Sequence, residues 1–242
     1  MATLAERFGD VGRLGCGTEV FAVRGWLAAA APALRHTILA AGRSTRLARG
    51  ERLFSSGAPP GGIFGVVSGG IAVEGSSQWH APRIGHVCRA GDWFGEGPAL
   101  TGGARTMGFI ALEDSQLLTV PLAVLRELMT DNSELTKLVG SLASIGSTLA
   151  SAIICDLLIP DAPRRTAAVM LRVTGALDGV VPDNAAGFVL TQTELGELAN
   201  VSRNHINHIL ATFERAGWIA KSYCHLRLLD VPALTAFVAD SR

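Results

Sequence analysis

The segment 190–227 constrains this chain most, because it encodes two short capped helices separated by a tight turn. Thr191 and Glu194 have the spacing of a capping box, in which a Thr N-cap and a Glu three residues later satisfy each other's backbone amides. Ser202 is a second N-cap after the turn at 199–201. A helix-turn-helix is therefore predicted.

The helix that follows Ser202 has two distinct faces when its residues are placed about 100° apart. One face is apolar and is expected to dock on the first helix: Ile206, Ile209, Leu210 and Phe213. The other carries side chains that hydrogen-bond base edges and phosphates: Arg203, Asn204, Asn207 and His208. An ordinary amphipathic helix with a solvated polar face is the alternative. The capped pair, the short turn and the lack of acidic residues before Glu214 favour a helix that reads DNA.

Further residues of this segment are predicted to contact DNA phosphates. Thr191, Gln192 and Thr193 start the first helix and Ser202 starts the second, where backbone donors and the helix dipole favour anions. The residues after Gly217 predict a β-hairpin, the wing of a winged helix-turn-helix. Residues 161–242 carry eight basic and eight acidic side chains, so the prediction rests on the local placement of charge.

The part of the chain before residue 120 contains a helix-prone segment followed by a β-prone segment. Residues 21–41 are rich in Ala and Leu and predict one or two short helices. Between about 45 and 120, short β-prone runs alternate with glycine turns, which predicts a sandwich or roll. An apolar fraction of 48% and a charged fraction of 17% in 242 residues fit two modest folded domains.

A long helix is predicted next, with a heptad seam over about three heptads. The seam comprises Leu135, Leu138, Leu142, Ile145, Leu149 and Ala152, and continues to Asp156 and Ile159. It suits either a two-helix dimer or packing on the helix's own domain. A second stripe, Val139, Gly146 and Ile153, is expected to pack on the β-rich region. Asp156, at a seam position, either tunes the balance between two conformations or lies at a frayed, solvated end of the coiled coil. The prolines at 160 and 163 then break the helix and form a hinge.

These segments resemble the cAMP receptor protein family, also called the CRP/FNR family. LTQTELGELANVSRNHINHILATFERAGWI is similar to its helix-turn-helix, and GERLFSSGAPPGGIFGVVSGGIAV to the start of its β-roll. The resemblance covers about residues 21–235. It implies an α+β fold with an N-terminal cyclic-nucleotide-binding β-roll (jelly-roll-like), a long dimerisation helix and a C-terminal winged helix-turn-helix. The expected division is a lead-in at 1–20, a sensing domain at 21–130, a dimerisation helix and hinge at 131–160, and a DNA-binding domain at 161–242.

The resemblance also implies a phosphate-binding cassette for a cyclic nucleotide, cAMP or cGMP. It comprises Gly95, Glu96, Gly97, Pro98 and Ala99, followed by Arg105 and Thr106. The Arg105 guanidinium can pair bidentately with the cyclic phosphate, and Glu96 can accept hydrogen bonds from the ribose 2′-hydroxyl. Small residues after Glu96 would let backbone amides approach the phosphate. The alternative is that Glu96 and Arg105 form a structural pair in a loop.

Two departures from the family pattern concern specificity. Family members that bind cAMP contact the purine with adjacent Thr and Ser on the long helix, and the matching positions are Ala150 and Ser151. Thr106 beside the cassette arginine resembles cGMP-preferring domains. In the recognition helix, Arg203, Asn204 and His208 replace the usual Arg-Glu…Arg set, which predicts a different target sequence.

The implied partners are double-stranded DNA, a second copy of the chain and RNA polymerase, in the cytoplasm and without a membrane. No signal peptide is evident, and no stretch of 18 uncharged apolar residues. The four cysteines are far apart, so no metal site is expected. Two other kinds of sensor remain open: another effector or none, or haem held by His80 or His86. An enzyme using His205 and His208, or Glu113 and Asp114, is disfavoured because no catalytic motif accompanies them.

Overall fold

The structure, a computed structural model, describes residues 17–130, 132–176 and 187–240. The chain forms two compact units. The first combines the described residues of Met1–Ile71 with those of Cys88–Ser147, and the second combines Ala72–Val87 with the described residues of Thr148–Arg242. The predicted lead-in at 1–20 lies outside the described residues except for 17–20.

The first unit opens with two short helices, as predicted, and continues into short strands. The helices are α1 (Val20–Val23) and α2 (Pro32–Ala40), with a 3₁₀ turn at Trp26–Ala29 between them. The strands of the roll, in chain order, are β1 (Arg43–Leu47), β2 (Arg52–Phe54), β3 (Gly62–Ser68), β4 (Gly70–Ser77), β5 (His80–Arg89), β6 (Trp93–Phe94), β7 (Gly108–Ala111) and β8 (Ser115–Pro121). Most of β4 and β5 falls within the second unit, which includes Ala72–Val87. They form two four-stranded sheets, in the orders β1-β8-β3-β6 and β2-β7-β4-β5. The predicted β-roll is confirmed.

Strand position explains which strands the sequence pattern revealed. β3 lies inside its sheet, antiparallel to both β8 and β6, and only its last residue is exposed. A strand covered on both faces reads as a continuous apolar run. β1 was not predicted as a strand, because only Leu47 of its five residues is buried. It forms through its register with β8, where the Thr45 and Thr119 hydroxyl oxygens lie 2.8 Å apart.

The other helices of this part of the chain are α3 (Glu96–Thr101), α4 (Leu122–Thr130) and α5 (Ser133–Leu158), which extends into the second unit. The first turns of α5 belong to the core of the first unit, where Leu135, Val139 and Leu142 pack with Phe21 and Leu27 among others. The Trp26 indole Nε1–H donates to the Leu138 carbonyl at 2.8 Å.

The predicted seam is therefore divided. Leu135 and Leu142 were expected either in a dimer seam or packed on the helix's own domain, and they pack on that domain. Val139 of the second stripe packs there too. From Ile145 onward α5 carries exposed apolar side chains: Ile145, Ile154, Leu157 and Leu158. By length and composition alone α5 could cross a membrane, since its mean hydropathy is 1.8 over 18 residues, of which 11% are buried. Length and composition alone do not separate such a helix from one that pairs with another helix.

The second unit contains the winged helix-turn-helix. Its remaining elements are α6 (Ala162–Val173), β9 (Phe188–Val189), α7 (Gln192–Ala199), α8 (Arg203–Arg215), β10 (Ile219–Ser222), β11 (His225–Leu228) and α9 (Val231–Ala239). The predicted break is present, since α5 ends at Leu158 and Asp161 caps α6 by accepting from the Arg164 amide at 2.9 Å. The wing strands pair as expected, and β9 adds a third strand in the order β10-β11-β9.

A buried guanidinium joins three elements of the second unit. Arg172 donates through Nε to Asp156 Oδ2 at 2.7 Å, and its Nη1 lies 3.0 Å from His86 Nδ1. Arginine only donates, so His86 accepts through Nδ1. Asp156, considered above as a tuning residue of the seam or as a frayed end, is the ion-pair partner of Arg172. His86, considered above as a candidate haem ligand, lies on β5 and is 7% exposed.

Candidate functional site

The predicted cassette is a tight turn leading into a six-residue helix. Helix α3 (Glu96–Thr101) follows β6, and Gly95 immediately before it has a φ of 98°. A Cβ at position 95 would lie 2.7 Å from the Gly62 carbonyl oxygen and 3.3 Å from Arg105 Nη1. Only glycine tolerates both this φ and this approach. The turn therefore brings the start of α3 beside the Arg105 guanidinium.

Arg105 is buried among aromatic rings. Its side chain is 4% exposed, and its guanidinium carbon lies 3.7 Å from the centre of the Phe54 ring and 5.2 Å from that of Phe64. Nη2 donates to the Gly62 carbonyl at 3.3 Å. Backbone bonds hold the loop in place: the Gly57 amide donates to the Arg105 carbonyl and the Arg105 amide to the Ala58 carbonyl, at 2.7 and 2.8 Å.

The Arg105 cation has no carboxylate within ion-pair distance among the described residues. The loop pair of Glu96 and Arg105, considered above as an alternative, is therefore not formed as a salt bridge in the part of the chain that the structure covers. Burial lowers the pKa of Arg105 to about 10, and the nearby Glu96 opposes that shift. A buried cation without an anion is costly, so this arrangement favours an anionic ligand.

The long helix passes close to the cassette. A Cβ at Gly146 of α5 would lie 3.4 Å from Glu96 Oε1. The same helix is held to the N-terminal segment by the Trp26–Leu138 hydrogen bond described above. Position 96 of the cassette is therefore in near contact with the helix that carries the exposed apolar residues.

The other predicted ligand residues differ in their burial. Gly97 and Pro98 are half-buried and Ala99 is buried. The Thr106 side chain is exposed, and its carbonyl accepts from the Ser56 hydroxyl at 3.1 Å. Ala150 and Ser151 are exposed on the part of α5 that belongs to the second unit. Gly95, Glu96 and Arg105 are the predicted residues that the structure brings together.

The helix-turn-helix has the predicted caps. The Thr191 hydroxyl accepts from the Glu194 amide at 3.1 Å, and the Glu194 carboxylate accepts from the Thr191 amide at 2.6 Å. The Ser202 hydroxyl accepts from the His205 amide at 3.4 Å. Between the helices Asn200 is left-handed with a φ of 50°. A Cβ at Gly196 would lie 2.8 Å from the Val201 carbonyl oxygen, so the turn requires glycine at position 196.

The two faces of α8 are as predicted. Ile206, Ile209, Leu210 and Phe213 are buried, whereas Arg203, Asn204, Asn207 and His208 are exposed. Thr191 and Gln192 are half-buried and Thr193 is exposed. A cleft of about 390 Å³ lies between the start of α7, the helix α8 and the wing, and its lining includes Thr191, Gln192, Thr193, Arg203 and Lys221. Three of the predicted phosphate-binding residues, one predicted base-reading residue and the Lys221 amine of the wing thus line one cleft.

The aromatic surroundings of Arg105 were not predicted from the sequence. Phe54, Phe64, Phe94 and Phe109 form a cluster of ring contacts with centroid distances of 4.3–6.4 Å. These residues come from four strands of both sheets, so no local pattern brings them together. The one available signal was the repeated phenylalanine in β-prone runs, which reads as core.

The residues considered for other chemistry have structural partners. Glu113 forms an ion pair with Arg89 at 2.9 Å, and Asp114 accepts from the Arg49 amide at 2.9 Å. Within the ranges that the structure describes, no cluster of three His, Cys, Asp or Glu side chains could hold a metal ion. Cys88 is buried, and burial raises the pKa of its thiol.

Comparison with known proteins agrees with this architecture. The profile of the cyclic nucleotide-binding domain matches residues 44–132, and that of the Crp-like helix-turn-helix domain matches residues 164–237. A CRP-like cAMP-activated global transcriptional regulator of Mycobacterium tuberculosis is 24% identical over 178 residues, which cover 71% of this chain and 77% of that protein.

Solved structures show the same fold. FixK2 from Bradyrhizobium japonicum superposes with a TM-score of 0.70 at 15% identity, over 83% of this chain and 99% of that chain. The c-di-GMP responsive regulator CLP of Xanthomonas campestris superposes with a TM-score of 0.62 at 16% identity, over 82% of this chain and 99% of that chain. The fold class is confirmed, and the DNA-binding regulators of this kind are not enzymes. The chain belongs to the CRP/FNR family of transcription regulators, with a cyclic nucleotide-binding domain and a Crp-like helix-turn-helix.

Proposed function

We propose that this regulator acts in the cytoplasm as a homodimer whose affinity for specific DNA is controlled by a cyclic nucleotide, cAMP or cGMP, bound in the cassette. The observation that carries this proposal is the Arg105 guanidinium, which is 4% exposed and has no carboxylate partner among the described residues. A cyclic phosphate is an anion of the right geometry for bidentate pairing with a guanidinium.

The cassette residues suit the rest of such a ligand. Arg105 would hold the phosphate, and Glu96 would accept a hydrogen bond from the ribose hydroxyl. Gly95 and Gly97 leave backbone exposed near the start of α3, and Thr106 adds a hydroxyl. Ala150 and Ser151 are assigned to the purine only through the family resemblance. The Mycobacterium tuberculosis relative is described as cAMP-activated, which favours cAMP, whereas Thr106 favours cGMP.

Control of DNA binding requires that the nucleotide has different affinities for two conformations. The near contact of Glu96 with α5 at Gly146 supports a route from the cassette to the long helix. The exposed Ile145 and Ile154 on that helix support a partner helix from a second copy. The domain division at 21–130, 131–160 and 161–242 belongs to this proposal, as does contact with RNA polymerase by the DNA-bound dimer.

On the DNA side, we assign base reading to Arg203, Asn204, Asn207 and His208 of α8. Arg203 suits a guanine, and the asparagines suit adenines. The other residues are assigned to phosphates: Thr191, Gln192, Thr193 and Ser202. The exposure of the four base-reading residues, and the cleft that Arg203 shares with Thr191, Gln192 and Thr193, support this division of roles.

Isothermal titration calorimetry tests the effector. The protein is titrated with cAMP and, separately, with cGMP, and both titrations are repeated with Arg105→Ala and with the exposed control Arg46→Ala. We expect saturable heat with one of the two nucleotides, lost in Arg105→Ala and kept in Arg46→Ala. Absence of heat with both nucleotides contradicts the nucleotide part of the proposal and leaves another effector, or none.

A further inference from the structure

A second cleft of about 400 Å³ adjoins the helix-turn-helix, and a strand hairpin lines one side of it. Its lining includes Arg83 of the β4–β5 hairpin together with Thr193, Glu197, Asn200, Ser202 and Arg203. Three of these residues were predicted above to contact DNA. Arg83 was not, because it is far from them in sequence. All of these residues belong to the second compact unit.

The hairpin is anchored to the first helix of the motif by its backbone. The Ile84 amide donates to Glu197 Oε1 of α7 at 2.7 Å. β5 is the edge strand of its sheet, and an edge strand leaves one row of amides without a strand partner. A carboxylate that accepts from a backbone amide makes one of the stronger hydrogen bonds in proteins. Because Arg83 directly precedes Ile84, this bond holds Arg83 beside the cleft.

A second anchor lies further along the same strand. Arg172 Nη1 approaches the Gly85 carbonyl at 3.4 Å and His86 Nδ1 at 3.0 Å, while its Nε binds Asp156. Arg172 is 8% exposed. The hairpin is therefore joined to α6 as well as to α7, so its position against the motif is defined by several hydrogen bonds.

The charges in the cleft favour an anion. Among the described residues, neither Arg83 nor Arg203 has a carboxylate within ion-pair distance, and both are exposed. The one acidic side chain in the lining, Glu197, already accepts from the Ile84 amide. Hydroxyls from Thr193 and Ser202 and the amide of Asn200 complete a set of donors typical of contacts to phosphate oxygens.

We propose that Arg83, supplied by the hairpin of the β-roll, is a further DNA-binding residue that contacts a backbone phosphate next to the helix-turn-helix. The inference rests on the DNA binding of the family and not on the nucleotide effector. It makes the β4–β5 hairpin part of the DNA interface, with Glu197 as the positioning residue that holds it there.

The salt dependence of binding to a 30-base-pair duplex of random sequence, followed by fluorescence anisotropy, tests the proposal. Each phosphate neutralised contributes about 0.9 to the slope of log K against log salt. We expect Arg83→Gln to weaken binding several-fold and to lower the slope by about 1 for each protomer bound. The control Arg46→Gln, on the exposed face of β1, should change neither quantity, and thermal melting establishes that each variant is folded.

The anchor is tested by a matched pair at position 197. Glu197→Gln and Glu197→Ala both remove the charge, but only glutamine keeps an oxygen that can accept from Ile84. We expect Glu197→Ala to bind more weakly than Glu197→Gln, with a lower slope. Adding Arg83→Gln to Glu197→Ala should cause no further loss, because the two changes act through one contact.

Three results would overturn the inference. An unchanged slope in Arg83→Gln means that the residue contacts no DNA phosphate, and tighter binding means that the hairpin obstructs DNA. An unchanged slope together with calorimetric binding of inorganic phosphate that Arg83→Gln abolishes makes the cleft a site for a free phosphoryl ligand instead. Arg203→Ala is measured in parallel: if it weakens binding while Arg83→Gln does not, only this inference fails and the assigned recognition helix stands.

Discussion

Replacing Arg105 with glutamine distinguishes a ligand-binding arginine from a structural one. Burial lowers the pKa of this group from its ordinary value to about 10, which at about 1.4 kcal/mol per pH unit corresponds to about 3 kcal/mol of charging cost in the ligand-free protein. Because the unfolded chain keeps the proton up to higher pH, that cost is present at every pH below about 10 and is relieved above it. Stacking at 3.7 Å over Phe54 offsets about 1–2 kcal/mol of the cost.

The neutral variant should therefore be as stable as the wild-type chain without nucleotide, or more stable by about 1 kcal/mol. For a chain of this size 1 kcal/mol moves the melting temperature by about 2–4 °C. Nucleotide at about 100 times its Kd adds about 2.7 kcal/mol to the wild-type protein, and so raises its melting temperature by about 5–10 °C. Arg105→Gln should lose that increase.

Differential scanning calorimetry at pH 7, with and without cAMP or cGMP, measures both effects, and Arg46→Gln serves as the exposed control. A fall of more than about 4 °C in Arg105→Gln without nucleotide would show that the guanidinium supports the fold, which would refute the reasoning from an unpaired buried cation. An increase with nucleotide that survives the substitution would place the ligand elsewhere.

Three further predictions concern the long helix, the recognition helix and the buried ion pair. Ile145→Glu places a charge on an apolar side chain that is 48% exposed, and should shift dimer to monomer in analytical ultracentrifugation, whereas Ser147→Glu, two residues from the seam, should not. Arg203→Ala should weaken binding to a selected DNA site by about 1–3 kcal/mol and relax specificity at one base pair, whereas Arg215→Ala, at the other end of α8, should leave the preferred sequence unchanged in a selection from random duplexes. Asp156→Ala leaves the buried Arg172 without its carboxylate and should lower the free energy of unfolding in urea by about 3 kcal/mol, against less than about 1 kcal/mol for Glu214→Gln in the exposed pair with Lys221.

The local sequence was sufficient to predict those features that depend on residues close together along the chain. The capping box at Thr191 and Glu194, the Ser202 cap and the two faces of α8 all follow from spacings within one or two turns. The break after Leu158 follows from the two prolines, and the turns of the roll follow from its regularly spaced glycines. These features identify the winged helix-turn-helix and the roll, and the family pattern adds the cassette.

The tertiary structure decided what depends on contacts between distant segments. The heptad pattern of α5 is the same on both sides of Leu142, yet its first half is buried in the roll and its second half is exposed, because Trp26, Phe21 and their neighbours cover only the first turns. Nothing in the spacing could distinguish those halves.

The same holds for the charged side chains. The sequence identifies Arg105 as a candidate ligand-binding residue. Its burial depends on Phe54, Phe64 and the Gly62 carbonyl, which the fold brings around the guanidinium and which include no carboxylate. Arg83 and Glu197 are more than a hundred residues apart, and the edge of β5 brings them to one cleft. The apolar periodicity of a helix or strand indicates which of its faces is buried. Which residues pack on that face depends on contacts between segments that are distant in the sequence.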